Sequence, residues 1–207
     1  MLLVAGTAVT VPQPTAQAAG CPDVELVFAR GTGEPPGMGL VGQALVDTLM
    51  PWLGGRSLAT YAVRYPAGIN FLTTAEGAIN AQNHLRAVAT ACPATHFVLG
   101  GFSQGAAVMS MLADVPPLGP LVGNLGSAPP MPPEAADQIS AVVVFGNPAA
   151  RFGTPLTTTG LFAGKALDLC NPGDPICAPG GRERAAHNRY HLPPYITSAA
   201  AFLASHV

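Results

Sequence analysis

The chain has 207 residues, of which only 10% are charged, and its net charge is −2. That length suits one α/β domain able to bury a sizeable core, and the absence of a basic run argues against nucleic acid as a partner. No stretch reaches about 18 uninterrupted apolar residues, so no transmembrane helix is expected.

Residues 1–18 read as a signal-peptide-like leader. Met1 to Val11 are apolar and uncharged, and Ala16-Gln17-Ala18 offers an A-x-A cleavage pattern. The positive n-region is missing, as it would be if the true start lay further upstream. The working domain is then expected over residues 21–207, as a secreted or cell-envelope-associated protein.

Strand and helix signals alternate after the leader. Val24 to Ala29 (V-E-L-V-F-A) reads as a strand running into Arg30-Gly31-Thr32-Gly33-Glu34. A helix is predicted over Leu40–Met50, closed by Pro51, and a second strand over Leu58–Arg64, broken by Tyr65-Pro66-Ala67-Gly68. Asn70–Thr90 carries Ile79, Leu85 and Val88 among alanines, the pattern of a long helix. Phe97-Val98-Leu99 is short enough for a buried strand, and Ala106–Ala113 is rich in helix formers. Residues 115–133 read as surface loop, and Ile139–Phe145 as the clearest central strand, ended by Gly146-Asn147-Pro148. Lys165–Cys170 supplies a fifth strand and Tyr195–His206 a closing helix. The alternation predicts a three-layer αβα sandwich around about five mostly parallel strands.

Four cysteines, Cys21, Cys92, Cys170 and Cys177, follow the leader, which favours two disulfides over free thiols. Three connectivities are possible. Cys170 and Cys177 enclose only N-P-G-D-P-I, where Pro and Gly bend the chain back, and pairing them leaves Cys21 with Cys92. No His stands at ligand spacing beside a C-x-x-C pair, so zinc is not expected.

Between the third strand and its helix lies Gly101-Phe102-Ser103-Gln104-Gly105, a G-x-S-x-G pattern. Strand, tight turn and helix are the setting in which this motif presents a nucleophilic serine. A serine hydroxyl needs a base to take its proton, and the base needs an acid to hold its tautomer. In sheets of this type the partners follow the serine in the order acid, then His. His84 and His96 come too early and His206 lies at a fraying end, leaving His187 and His191. Among the later acids, Asp114, Glu134 and Asp137 read as solvated, and Asp168 faces either solvent or a helix. Asp174 lies past the carboxyl end of the fifth strand, where ligands bind in such sheets, and inside the short cysteine loop.

Five ordered motifs then carry a family resemblance: F-A-R-G-T-G-E (28–34), G-F-S-Q-G (101–105), F-G-N-P (145–148), C-N-P-G-D-P-I-C (170–177) and A-H-N-R-Y (186–190). From about Cys21 to the C-terminus the chain resembles the cutinases, including cutinase-like proteins of mycobacteria and the related acetylxylan esterases. The resemblance implies a lidless α/β-hydrolase-like fold with Ser103 as nucleophile, Asp174 as triad acid and His187 as base, with Tyr190 in the tyrosine place of H-x-x-Y. It maps the oxyanion hole to Thr32 and to the Gln104 backbone N–H, and agrees with Cys21–Cys92 and Cys170–Cys177. It calls for no cofactor. His187-x-x-x-His191 invites a metal reading, but Pro193 and Pro194 disfavour a helix there and no third ligand is evident, so no metal is expected.

The activity so implied is hydrolysis of short- to medium-chain carboxylic esters, lipids and polyesters included, by a monomer that can meet a lipid or envelope surface. Phospholipase and acetylxylan esterase activity would use the same residues. A non-catalytic envelope protein that binds lipid or glycan is the rival of a different class. Before the His, Ala178–Ala185 carries Arg182, Glu183 and Arg184, which read as a solvated loop. Leu192, Pro193, Pro194 and Ile196 are the candidates for an apolar wall after it.

Overall fold

A strand covered by helices on both faces must be apolar on both, and β1 (Val24–Ala29) is buried along its whole length. The computed structural model describes residues 20–124 and 126–207, so the leader read at residues 1–18 lies outside the described residues. Five strands, β1, β2 (Leu58–Ala62), β3 (His96–Phe102), β4 (Ile139–Phe145) and β5 (Ala166–Leu169), form one sheet in the order β2-β1-β3-β4-β5. Every pairing is parallel.

Side chains alternate between two cores. Val27, Leu99, Val142 and Val144 face one cluster, built with α2 (Thr74–Ala91) and α3 (Gln104–Leu112). Leu26, Phe28, Val98, Val143 and Phe145 face the other, built with α1 (Gly39–Leu49) and α7 (Tyr195–Ala204). The result is the expected αβα sandwich. Short helical turns α4 (Pro133–Ala136), α5 (Pro148–Arg151) and α6 (Arg184–His187) ride on the connections.

Several boundaries differ from the sequence reading, each for a local reason. β3 continues through Gly100 and Gly101, which carry no strand signal of their own. Yet a Cβ on Gly100 would stand 2.5 Å from the Phe28 ring, so the close approach of β1 and β3 requires glycine there. α3 starts at Gln104, two residues earlier than predicted, because the turn at Ser103 launches it directly. The long helix starts at Thr74 after a 3₁₀ turn, Phe71–Thr73, capped by the Asn70 side chain, which accepts the Leu72 N–H. β2 stops at Ala62 rather than Arg64, and β5 is confined to Ala166–Leu169.

The order β2-β1-β3-β4-β5 reverses direction between β1 and β3. The carboxyl ends of those two strands therefore border a crevice at a topological switch point, where ligands bind in open parallel sheets. Arg30–Glu34 leaves β1 into that crevice, and Ser103 leaves β3 into it.

Candidate active site

Ser103 sits at the β3–α3 turn with φ 54° and ψ −113°, a conformation that costs a non-glycine residue energy. The flanking glycines make the turn possible. A Cβ on Gly101 would stand 2.2 Å from the Gly105 carbonyl oxygen, and one on Gly105 would stand 1.9 Å from that of Ala29. The Ser103 N–H donates to the Phe145 carbonyl at 2.9 Å, tying the elbow to the end of β4. The hydroxyl is left at the mouth of the crevice.

His187 closes the short helix α6 and reaches back 84 positions to the serine, its Nε2 2.9 Å from Ser103 Oγ. Its Nδ1 lies 2.7 Å from Asp174 Oδ2. A carboxylate can only accept, so the imidazole carries its proton on Nδ1 and offers the Nε2 lone pair to the serine hydroxyl. Asp174 is fully buried. Burial alone would raise its pKa, but hydrogen bonds from His187, from the Tyr190 hydroxyl and from the Ile176 N–H outweigh that and hold it below the ordinary carboxylate value. The loop bearing Asp174 is closed by the Cys170–Cys177 bond, while Cys21 is bonded to Cys92 near the start of β1.

Gly146, in F-G-N-P, provides the floor of this arrangement. Its φ is +58°, and a Cβ there would stand 2.7 Å from His187 Cε1 and 3.0 Å from Asp174 Oδ2. The Phe102 ring packs against the imidazole at 4.8 Å between centroids.

Across the crevice, Arg30 is buried and donates to the carbonyls of Glu34, Val63 and Tyr65. Glu34 accepts the N–H of Gly31 at 2.6 Å and that of Leu40 at 2.8 Å. The Gly33 N–H donates to Ala67, a residue held at φ 51°. Gly31 and Gly33 on either side of Thr32, and Ser103 before Gln104, thus have acceptors for their N–H groups. Thr32 and Gln104 themselves have none among the described residues, which leaves both as backbone donors beside Ser103. Their side chains are joined as well: the Thr32 hydroxyl donates to Gln104 Oε1 at 3.0 Å.

The remaining histidines lie elsewhere. His191 has a buried Nδ1 with no partner among the described residues, and His206 bonds to the Phe202 carbonyl. His84 meets Glu25, and His96 meets Ser140. Asp168 is partly buried; its Oδ2 accepts from Nδ2 of Asn147, the residue that caps α5, and from the Leu156 N–H. Arg182 and Arg184 are exposed. Ile196 cannot serve as an apolar wall, because it is buried in the core with α1, whereas Leu192 is exposed.

In the sequence, Arg30, Glu34 and Gly146 are only letters in motifs. Their work is to shape turns through contacts made by folding, and composition carries no signal for that. Ile69 and Leu121 are almost fully exposed and Leu72 is 62% exposed; Ile69 and Leu72 lie on the segment that leads into Thr74, whose hydroxyl meets the Gln104 side chain. Phe71, Leu72, Met111, Leu118 and Val122 enclose a hollow of about 40 Å³.

A protein-family model described as Cutinase matches residues 20–207. Phospholipase Culp4 of Mycobacterium tuberculosis is 48% identical over 91% of this chain and 80% of its own length. Probable carboxylesterase Culp3 of the same organism is 47% identical over 92% of this chain and 71% of its own. Among solved structures, a Trichoderma reesei cutinase in complex with a phosphonate inhibitor superposes with a TM-score of 0.71 at 35% identity, covering 89% of this chain and 76% of that one. An acetylxylan esterase superposes with a TM-score of 0.76 at 25% identity, covering 90% and 99%.

Proposed function

Because the chain belongs to the cutinase family and is a serine carboxylic ester hydrolase, we propose that Ser103 is its nucleophile, His187 its general base and Asp174 the acid that orients the imidazole. The observation that carries this reading is His187 lying within hydrogen-bond distance of both Ser103 and Asp174. Ser103 Oγ attacks the ester carbonyl carbon while His187 Nε2 takes its proton. The buried Asp174 carboxylate stabilises the imidazolium that forms, and the carbonyl oxygen becomes an oxyanion between the Thr32 and Gln104 N–H groups. Collapse of the tetrahedral adduct expels the alcohol, which leaves with the proton from His187. Water, deprotonated by the same imidazole, then attacks the acyl-enzyme, releasing the acid and restoring Ser103.

The substrates we propose are short- to medium-chain acyl esters, with lipids and polyesters within range. Ile69 and Leu72, exposed on the segment that leads into Thr74 at the Gln104 side chain, support the apolar part of that reading, since exposed apolar side chains there can lie along an acyl chain. They favour a phospholipid over an acetylated sugar as the runner-up substrate. Residues 21–207 act as one catalytic domain and as a monomer. Two disulfides support secretion into an oxidising compartment.

A fluorophosphonate probe tests the nucleophile. It should label the folded wild-type protein and fail to label Ser103→Ala; unlabelled wild type would overturn the assignment. A panel of p-nitrophenyl esters of graded chain length, phospholipid and acetylated xylan then assigns the substrate class.

A further inference from the structure

We propose that Thr74, a residue remote in sequence from every motif above, is a positioning residue that orients the Gln104 side chain and through it aims the Thr32 hydroxyl at the oxyanion. The inference rests on the reading of Thr32 and Gln104 as the oxyanion hole.

Three side chains form an unbroken line. The Thr32 hydroxyl donates to Gln104 Oε1 at 3.0 Å, and Gln104 Nε2 donates to Thr74 Oγ1 at 2.9 Å. Gln104 and Thr74 are both buried, Thr74 completely, so neither end of the amide has water as a substitute partner. Thr74 is the first residue of α2, brought there by the 3₁₀ turn that Asn70 caps. The line therefore joins the loop after β1, the residue after the nucleophile, and the start of α2.

This line can run in two directions. In the direction given above, the Thr32 proton is spent on Gln104, and the Thr74 proton has no acceptor among the described residues. A half-turn of the Gln104 amide exchanges its oxygen and nitrogen while leaving the other heavy atoms in place. Thr74 then donates to Oε1, Nε2 donates to Thr32 Oγ1, and the Thr32 proton is released toward the crevice. When an oxyanion occupies the crevice, the reversed line satisfies one donor more than the original. Unmade hydrogen bonds of buried groups are expensive, so the accounting favours reversal as negative charge develops. A hydroxyl at position 74 is what makes both directions possible, since it can accept or donate. An aliphatic side chain there would leave one end of a buried amide without a partner.

The contribution appears only with the charged transition state, so it belongs to kcat and not to KM. Thr74→Val should lower kcat on a p-nitrophenyl ester about 10-fold with KM little changed, below the 10²–10³ seen when an oxyanion donor is lost outright. Thr74→Ser, which keeps the hydroxyl, should stay within about 3-fold of wild type. The deciding measurement is the cycle with Thr32→Val, which deletes the Thr32 hydroxyl and keeps its N–H. If Thr74 acts through that hydroxyl, Thr74→Val has no further effect on kcat in the Thr32→Val protein. An equal drop in both backgrounds, or none in wild type, overturns the proposal. Thermal unfolding followed at Trp52, the single tryptophan, verifies that each variant is folded, and Thr74→Ala replaces Thr74→Val if the latter is not. Should Thr32→Val itself keep full kcat, this inference falls while the Ser103 reading stands; the wider reading fails only with the fluorophosphonate label.

Discussion

The Tyr190 hydroxyl donates at 2.6 Å to Asp174 Oδ2, the same carboxylate oxygen that faces the His187 imidazole. Tyr190 is fully buried, and its oxygen in turn accepts the Asn171 N–H at 2.9 Å. The tyrosine therefore anchors the carboxylate that holds the His187 imidazole, and ties both to the start of the cysteine loop. Burial and the neighbouring carboxylate hold the phenol far above its ordinary pKa, so it stays a donor at every working pH.

Tyr190→Phe should thus destabilise the protein by about 1–2 kcal/mol at pH 7, the usual cost of unsatisfied buried groups. Asp174 has a lowered pKa when folded, so its bonds stabilise the protein above the unfolded value and that contribution is lost as pH falls through the folded one. Removing one bond moves the folded value back up. The gap between wild type and variant in urea unfolding should therefore narrow toward acid pH; a constant gap would mean that the hydroxyl does not act on the carboxylate.

Gly146→Ala places a methyl group where His187 Cε1 lies 2.7 Å away, at a backbone φ of +58°. The imidazole has to move. Misplacement of a catalytic group by about 1 Å can cost 10²-fold, so kcat should fall by about that factor. Stability should fall by about 1–2 kcal/mol from the left-handed backbone. Near-wild-type turnover would show that His187 tolerates displacement.

Asp168 supplies a second pH dependence with the opposite sign. Burial raises its pKa to about 6, against smaller lowering contributions from Asn147 and the Leu156 N–H. A folded value above the unfolded one means that protonation favours the fold, and stability is lost as pH rises from about 4 to about 6. Asp168→Asn cannot ionise. Its stability relative to wild type should improve over that window by on the order of 2–3 kcal/mol and stay level above it, as read by thermal or urea unfolding. A flat difference would place the titration elsewhere.

The two disulfides should separate stability from activity. Cys21→Ser/Cys92→Ser opens the long loop and should cost about 4.4 kcal/mol with kcat unchanged, because that bond lies far from the crevice. Cys170→Ser/Cys177→Ser should cost only about 2.5 kcal/mol. It frees the loop that positions Asp174, however, so kcat should drop about 10-fold. Equal kcat in both proteins would mean the short bond does not position the acid.

By itself, the chain's periodicity determined the fold class. V-E-L-V-F-A and I-S-A-V-V-V-F, Glu25 and Ser140 aside, carry apolar residues on both faces, which a strand between two helical layers needs. The spacing of G-x-S-x-G determined the elbow, since Gly101 answers a contact with Gly105 inside the turn itself. The cysteine spacing likewise singled out the short loop around Asp174. Such features are legible because their causes are local.

Tertiary structure decided the rest. Order alone left His187 and His191 equivalent; the resemblance chose between them, and folding brings only His187 to Ser103 and Asp174, across 84 and 13 positions. Leucines and valines in a parallel sheet do not specify neighbours, so the order β2-β1-β3-β4-β5 was invisible, and with it the crevice between β1 and β3. Tyr190 on Asp174, Gly146 beneath His187 and Thr74 against Gln104 are contacts between distant segments. A hydrogen bond forms over about 3 Å, and only the packed chain determines which groups come that close.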